Sequence, residues 1–124
     1  MKEYMFLIYN EEGKDNLAPD LHDEFIKKCE VYIKGLKENG KLVAAQPIER
    51  QGKILSRENE HWNESSFDEA GQVWVGYYHI LANDMEDAIS IAKANPEFYY
   101  KPTARIEVRP VKVKEVTTGF VYPK

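Results

Sequence analysis

Residues 72–81, QVWVGYYHIL, form the most strongly patterned stretch of the chain, because both of their alternating sets of positions are largely apolar. Successive side chains of a β-strand point to opposite faces, so each set would form its own surface. One face would carry Val73, Val75, Tyr77, His79 and Leu81, and the other Gln72, Trp74, Gly76, Tyr78 and Ile80. A strand with one solvated face has polar residues at every second position. The pattern therefore predicts a central strand that packs against helices on one face and against a second sheet or subunit on the other.

The first third of the chain has the pattern of a strand followed by an amphipathic helix. Residues 3–9 form an apolar run of strand length, which predicts a buried first strand. Pro19 suits the first turn of a helix, and Asn39-Gly40 suits its end. Between them, apolar residues recur every three or four positions, which is the spacing of one helix face: Leu21, Phe25, Cys29, Tyr32 and Leu36.

The middle of the chain predicts a second strand and then an irregular segment. Residues 41–48 have a strand pattern that Pro47 interrupts. Residues 50–71 have the weakest pattern of the chain, with one short extended piece at residues 53–56. This segment fits a lid, a dimer arm or a long loop, and the sequence leaves these three interpretations open.

A second helix is predicted directly after the central strand. Asn83 suits the N-cap, and Glu86 follows three residues later, which is the spacing of a capping box. Asn95-Pro96 ends the helix, because a residue before proline is biased away from helical backbone angles. The buried face of this helix would consist of Met85, Ala88, Ile89 and Ala92.

The predicted elements add up to a single domain over residues 1–124 with an α+β, ferredoxin-like fold. A last core strand at residues 104–110 completes the order βαββαβ, and residues 111–122 follow as a C-terminal extended arm. The helices would cover one face of the sheet and leave the other apolar face exposed in a monomer. An apolar face of that kind normally marks an interface, which predicts a two-fold symmetric homodimer.

Charge and cysteine content narrow the classes of partner and compartment. The net charge of −4 argues against a nucleic-acid partner, since phosphate binding needs concentrated Lys and Arg. The single cysteine, Cys29, precludes an intrachain disulfide and fits a reducing compartment, so we expect a cytoplasmic protein. No apolar run approaches the ~20 residues of a membrane span, so no membrane association is expected.

Five segments of the chain carry a family resemblance: KEYMFLIYN at 2–10, LAPD at 17–20, NGKLVAA at 39–45, VGYYHI at 75–80 and EVRPV at 107–111. They resemble the YCII-related family, in particular its DGPF-type branch. Their order and spacing carry the resemblance across nearly the whole chain. The DGPF tetrapeptide itself would fall on ESSF at 64–67, where only Phe67 is retained. The resemblance implies a ferredoxin-like fold that dimerises into an α+β barrel, and it does not imply one activity.

His22 is the first candidate catalytic residue. The YCII branch has a histidine at this helix start, paired with an aspartate before a proline at the end of the second helix. The second position in this chain is Asn95, followed by Pro96. Asparagine can accept a hydrogen bond from an imidazole N–H but offers no charge, so a general-base role for His22 is weakened. The alternative is that His22 is a solvated side chain on the helix surface.

Tyr78 and Arg109 are the candidate substrate-binding residues. A tyrosine can line a pocket with its ring and still donate one hydrogen bond. Arg109 could bind a carboxylate through two hydrogen bonds, as arginine often does. The alternatives are packing for Tyr78 and an ion pair of Arg109 with Glu107 or Glu49.

The sequence predicts neither a metal ion nor a cofactor. His22, His61 and His79 lack the close spacing of metal ligands, and Cys29 stands alone. No glycine-rich phosphate loop and no nucleophile motif is present in the sequence.

Two functional hypotheses remain open from the sequence. In the first, the protein binds a small organic molecule in a cleft between helices and sheet, with acid–base chemistry at His22. In the second, it is a non-catalytic homodimeric binding or interaction module. A cleft whose polar groups converge with His22 would favour the first hypothesis.

Overall fold

Antiparallel strands and helices make up an α+β fold in the computed structural model, which describes residues 1–11, 16–67 and 71–124. The elements in chain order are β1 (Lys2–Glu11), α1 (Pro19–Glu38), β2 (Leu42–Pro47), β3 (Ile54–Glu58), β4 (His61–Ser65), β5 (Gln72–Ala82), α2 (Met85–Lys93), α3 (Glu97–Tyr100) and β6 (Arg105–Pro110). The α+β class predicted from the sequence is confirmed.

The main sheet has four strands in the order β2-β5-β1-β6, and every neighbouring pair is antiparallel. The strand at residues 72–81 is therefore a central strand, as its two apolar faces predicted. This order is compatible with a ferredoxin-like sheet. The chain differs from a plain βαββαβ order, because β3 and β4 form a separate two-stranded sheet and α3 follows α2.

The core lies on one side of the main sheet, beneath α1 and α2. We call this side of the sheet the helix face. Its strand residues are Tyr4, Phe6, Ile8, Tyr78, Ile80 and Ala82, and its helix residues are Leu36, Ala88 and Ala92. Phe6 and Ile80 are the largest fully buried apolar side chains among the described residues, so their burial contributes most to the apolar stabilisation of the sheet.

The opposite side of the sheet carries alternate residues of the same strands and is covered by no helix among the described residues. We call it the open face. In the register of the sheet, Leu7 on β1 lies between Tyr77 on β5 and Glu107 on β6. Met5 in the same way lies between His79 and Arg109.

A bulge changes the faces that the sequence pattern assigned to one end of β5. Ile8 pairs with Gly76, but the next residue, Tyr9, pairs with Trp74, so the register shifts by one residue. Trp74 therefore lies opposite Tyr9, on the open face, whereas strict alternation placed it with Tyr78. The Trp74 indole N–H donates to the Gly76 carbonyl over 2.8 Å and stabilises this local geometry. A bulge accounts for the error, because an extra residue on one strand breaks the period of two.

The ends of α1 agree with the sequence prediction, whereas the cap of α2 lies one residue later. Pro19 starts α1, and Gly40 follows its C-cap with a φ of 69°, a conformation that glycine adopts without strain. At α2 the N-cap is Asp84, not Asn83, and its carboxylate accepts from the Asp87 N–H over 2.8 Å. Asp84 is the better N-cap, because its carboxylate also interacts favourably with the positive end of the helix.

The irregular segment forms a hairpin that stands apart from the main sheet. Strands β3 and β4 pair in register from Ile54 opposite Ser65 to Glu58 opposite His61, and all their residues are exposed. The sequence indicated only a short extended piece here, at residues 53–56. Residues 68–70, at the end of this segment, lie outside the described residues.

The C-terminal arm is not an extended strand but a turn. The bridge between Lys114 and Val121 is isolated, and the Tyr122 N–H donates to the Val113 carbonyl over 2.9 Å. The arm begins beside β1, where the Val111 N–H donates to the Glu3 carbonyl over 3.0 Å.

Gly76 is a position where a side chain would disturb the sheet. A Cβ atom there would lie 3.1 Å from the Gln46 carbonyl oxygen and 3.3 Å from the Pro47 Cα, both of them backbone atoms of β2. We expect Gly76→Ala to lower the free energy of unfolding by about 1–3 kcal/mol, the usual effect of overpacking. Urea unfolding followed by circular dichroism measures this change.

Gly35→Ala is the matched control for that substitution. Gly35 lies within α1, and a Cβ atom there would meet nothing within 4 Å. Alanine is the better helix former, so this variant should be more stable by about 0.5–1 kcal/mol. Equal stability of Gly76→Ala and wild type would contradict the close approach of β2 and β5.

Candidate ligand-binding cleft

A cleft of about 250 Å³ opens between α1 and the helix face of the sheet, at the edge formed by β2 and β5. Its walls are mainly apolar. The lining includes Phe25, Cys29 and Ile33 from α1, and Ala45, Gly76 and Tyr78 from the sheet.

The cleft is open because the sheet presents small residues to α1 at this edge. Ala45 pairs with Tyr78, and Pro47 pairs with Gly76, so small side chains occupy three of these four positions. Larger side chains at Ala45 and Gly76 would fill the gap. The close approach of β2 described above requires Gly76, so the same constraint that packs the sheet also leaves the cleft empty.

The inner end of the cleft is closed by α3. The Phe25 ring packs against the Tyr100 ring with centroids 5.5 Å apart, and the Lys101 ammonium lies 5.3 Å from the Phe25 ring centroid. Glu97, the first residue of α3, lines the cleft directly. The short helix therefore supplies both a wall and a carboxyl group.

Tyr78 is the main polar residue of the cleft and is held as a neutral phenol. Burial raises its pKa, and the neighbouring Cys29 and Glu97 side chains raise it further, while a hydrogen bond from the Asn95 side chain opposes the rise. A phenol ionises at about pH 10 even without burial, so Tyr78 carries its proton throughout the physiological range. It can therefore donate one hydrogen bond to a ligand.

Tyr32 holds the ring of Tyr78 in place. The two rings meet edge to face with centroids 5.6 Å apart, and the Tyr32 hydroxyl donates to the Ile91 carbonyl over 2.6 Å. This hydrogen bond joins α1 to α2 behind the cleft. The Tyr78 ring is also 6.4 Å from the Phe6 ring in the core, so packing on two sides restricts its movement.

Asn95 is fully buried next to the inner end of the cleft. Its side-chain oxygen accepts from the Glu97 N–H over 2.9 Å, and this bond fixes which way the amide is turned, because only the oxygen can accept. Its amide nitrogen has no hydrogen-bond partner of good geometry among the described residues. Buried polar groups are rarely left in this state, so Asn95 needs an explanation.

His22 and Asn95, the two predicted catalytic residues, are not joined by a hydrogen bond in the described part of the chain. His22 lies in the first turn of α1 and is exposed, with its ring 6.5 Å from the Phe25 ring. Asn95 is turned inward toward Glu97 and Tyr78. The catalytic role of His22 stays a prediction.

Tyr78 and Arg109, the two predicted substrate-binding residues, lie on opposite faces of the sheet. Tyr78 pairs with Phe6 on β1, whereas Arg109 pairs with Met5, the residue before Phe6. Neighbouring residues of a strand point to opposite sides, so Arg109 is on the open face and exposed. The two side chains of one chain cannot bind the same small molecule.

The open face has its own cluster of polar side chains, which the sequence did not indicate. The His79 Nε2 atom lies 2.7 Å from one carboxylate oxygen of Glu3, and both side chains are about nine-tenths buried. The Lys124 ammonium lies 3.5 Å from the other oxygen of Glu3. These residues come from both ends and the middle of the chain, so only the strand register brings them together.

Cys29 and Glu97 lie together in the cleft, and the sequence did not predict this. Cys29 was visible only as part of the apolar stripe of α1, and Glu97 only as part of a tyrosine-rich connection. Burial, with the charge of Glu97, raises the pKa of the Cys29 thiol to about 12. The thiol is therefore protonated at neutral pH and is a poor nucleophile there.

Histidine, cysteine and acidic side chains do not gather into a metal-binding group of three or more in the described ranges. His22, His61 and His79 lie on α1, on the β3–β4 hairpin and on β5. Among the helices described above, none is long and apolar enough to cross a membrane.

No protein-family model matches this chain, and no curated protein matches it either.

The environment of Cys29 predicts slow alkylation. Only the thiolate reacts, and raising the pKa from 9.0 to about 12 leaves about 1,000-fold less of it at pH 7.5, so we expect iodoacetamide to react about 1,000-fold more slowly with the folded protein than with the urea-unfolded protein. Mass spectrometry of the alkylated chain measures both rates.

The pH dependence of this reaction provides a second readout. The rate for the folded protein should keep rising about tenfold per pH unit from pH 7 to 9, because the thiol stays below its pKa throughout. The rate for the unfolded protein should begin to level off near pH 8.5. A plateau at that pH in the folded protein would show that Cys29 is not shielded.

Proposed function

We propose that the protein binds a small, largely apolar organic molecule in the cleft between α1 and the sheet. The observation that carries this proposal is an apolar cleft with a neutral, well-supported phenol, Tyr78, at its inner end. Ligand sites are typically apolar clefts with a few placed polar groups. An apolar cavity of about 150 Å³ already admits benzene, so about 250 Å³ suits a single ring with a short substituent.

We propose further that the domain is a ferredoxin-like fold with one inserted hairpin. The strand order β2-β5-β1-β6, with two helices on one face, supports a ferredoxin-like core into which the β3–β4 hairpin is inserted. The resemblance of the sequence segments supports a distant relation to the YCII-related proteins. Neither argument specifies a reaction.

Acid–base chemistry at His22 is the catalytic extension of this proposal. His22 lies one helical turn before Phe25, whose ring lines the cleft. An exposed imidazole at that place could reach a ligand that projects from the cleft mouth. Asn95 does not hold the imidazole in this structure, so any proton transfer would depend on His22 alone.

Filling the cleft tests the binding proposal. Ala45→Leu places a larger side chain on the helix face, and Ala44→Leu is the matched control because Ala44 lies on the other side of β2. We expect at least one single-ring aromatic compound in a metabolite panel to raise the Tm of wild type by several degrees. Ala44→Leu should retain this shift, and Ala45→Leu should lose it.

His22→Ala separates binding from catalysis in the same panel. This variant should keep the ligand-induced shift in Tm, since His22 does not line the cleft, and should lose turnover if its imidazole transfers the proton. Retention of the shift by Ala45→Leu would refute the cleft as the binding site.

A second candidate function is a non-catalytic homodimeric interaction module, favoured by the open face. Trp74 is 46% exposed there, and large apolar side chains such as Leu7, Tyr77 and Leu81 are only half-buried. A second copy of the chain, packed sheet to sheet, would cover this surface as in a dimeric α+β barrel. The dimer is also compatible with ligand binding, because the cleft lies on the helix face.

Sedimentation measures the predicted dimer. At micromolar concentration the protein should sediment at twice its chain mass of 14.4 kDa. Leu7→Glu buries a charge at the centre of the proposed interface and should yield the monomer. Val31→Glu, at a 69% exposed position on α1, should leave the dimer intact. A wild-type monomer would rule out this assembly.

A further inference from the structure

The buried amide of Asn95 indicates what kind of polar group the cleft receives. Its nitrogen is enclosed by protein and has no hydrogen-bond partner of good geometry in the described part of the chain, while its oxygen accepts from the Glu97 N–H. An amide nitrogen can only donate. The group that satisfies it must therefore be an acceptor close to Asn95.

The Tyr78 hydroxyl is the acceptor that the fold places beside this amide. Asn95 lies near enough to Tyr78 to favour the ionised phenol, which is the effect of a donor directed at the phenol oxygen. When the Tyr78 oxygen accepts from Asn95, its own O–H must point elsewhere, and Tyr78 is a lining residue of the cleft.

The apolar walls of the cleft determine which head group is acceptable at this end. Glu97 lines the cleft and acts on both Tyr78 and Cys29 as a negative charge, while Lys101 acts on Cys29 in the opposite sense. Cys29 is protonated and neutral. A charged ligand head would lose its hydration in these apolar surroundings, whereas a neutral acceptor oxygen would meet the Tyr78 O–H without that penalty.

We propose that the inner end of the cleft binds the neutral carbonyl oxygen of an otherwise apolar molecule, with Tyr78 as the hydrogen-bond donor and Asn95 as the residue that positions it. Aldehydes, ketones, esters and amides of single-ring size are the ligand class. This inference rests on the proposed binding function of the cleft. Asn95 is a positioning residue, because it acts on the ligand through Tyr78.

Four probes on one skeleton test the head group. Acetophenone carries the carbonyl, ethylbenzene has nearly the same shape without it, benzoate adds a negative charge, and benzylamine adds a positive charge. One neutral hydrogen bond is worth roughly tenfold in affinity, so wild type should bind acetophenone about tenfold more tightly than ethylbenzene. Benzoate and benzylamine should both bind more weakly than acetophenone, because a charged head group loses its hydration when it enters a largely apolar cleft. Calorimetric titration measures the four dissociation constants.

Two conservative variants assign the donor and its positioning residue. Tyr78→Phe removes only the hydroxyl, and we expect it to bring the ratio of acetophenone to ethylbenzene affinity close to one. Asn95→Asp keeps the oxygen that caps Glu97 but replaces the donor with an acceptor, which would turn the Tyr78 O–H away from the cleft. The same loss of preference is expected, with ethylbenzene binding unchanged.

Infrared difference spectroscopy reports directly on the hydrogen bond to the carbonyl group, independently of the affinity. The carbonyl stretch of bound acetophenone should shift to lower wavenumber in wild type, because a donated hydrogen bond weakens the C=O bond. The shift should disappear in Tyr78→Phe and in Asn95→Asp, while urea unfolding checks that both variants remain folded.

The outcomes separate this inference from the binding proposal. Equal affinity for acetophenone and ethylbenzene in wild type, with both lost in Ala45→Leu, would keep the cleft as a binding site and overturn the carbonyl assignment. Tightest binding of benzoate or of benzylamine would overturn it as well. Failure of wild type to bind any of the four would refute the binding proposal itself, and this inference with it.

Discussion

The pairing of β1 with β5 is the interaction on which the rest of the structure depends. It joins residues about seventy positions apart in a ladder from Lys2 opposite Ala82 to Glu11 opposite Gln72, and it buries Phe6 and Ile80 completely. Because a strand has a side-chain period of two, this one register decides the face of every residue in both strands. A slip by one residue would place Tyr78 on the open face and His79 in the core.

The two faces of the sheet are chemically different because of that register. The helix face has an apolar core and, at one edge, a cleft with protonated Tyr78 and Cys29. The open face mixes half-buried apolar residues with the close pair of Glu3 and His79. Residues that were candidates for one site, Tyr78 and Arg109, are therefore separated by the thickness of the sheet. The proposed ligand cleft and the proposed dimer surface therefore lie on opposite faces of the sheet.

The cleft is a consequence of packing rather than an addition to it. Strand β2 approaches β5 closely at Gly76, and the small side chain of Ala45 faces α1 beside it. The Asn95 amide nitrogen, which has no hydrogen-bond partner of good geometry among the described residues, lies close to this edge. Buried polar groups without partners are rare and occur mainly at functional sites. Stability and binding are thus linked through very few residues.

Part of the candidate site could be predicted from the sequence. Tyr78 and Asn95 were each identified there, and the structure places them next to each other. The expected partner of Asn95 was His22, and the structure directs Asn95 toward Glu97 instead. Cys29 and Glu97 gave no separate signal, because a cysteine in an apolar stripe and a glutamate at the start of a short helix are ordinary features. Their role comes from the contact of α1 with α3.

The local sequence pattern was sufficient to predict the central strand, the first strand and the span of α1 from Pro19 to Asn39-Gly40. These features depend on local periodicity and on the backbone preferences of proline and glycine, which are properties of neighbouring residues. Only the tertiary structure decided the bulge that moves Trp74, the cap at Asp84, the separate hairpin and the cleft. Each of these depends on which segments pair and in what register, and that is set by the burial of side chains far apart in the chain.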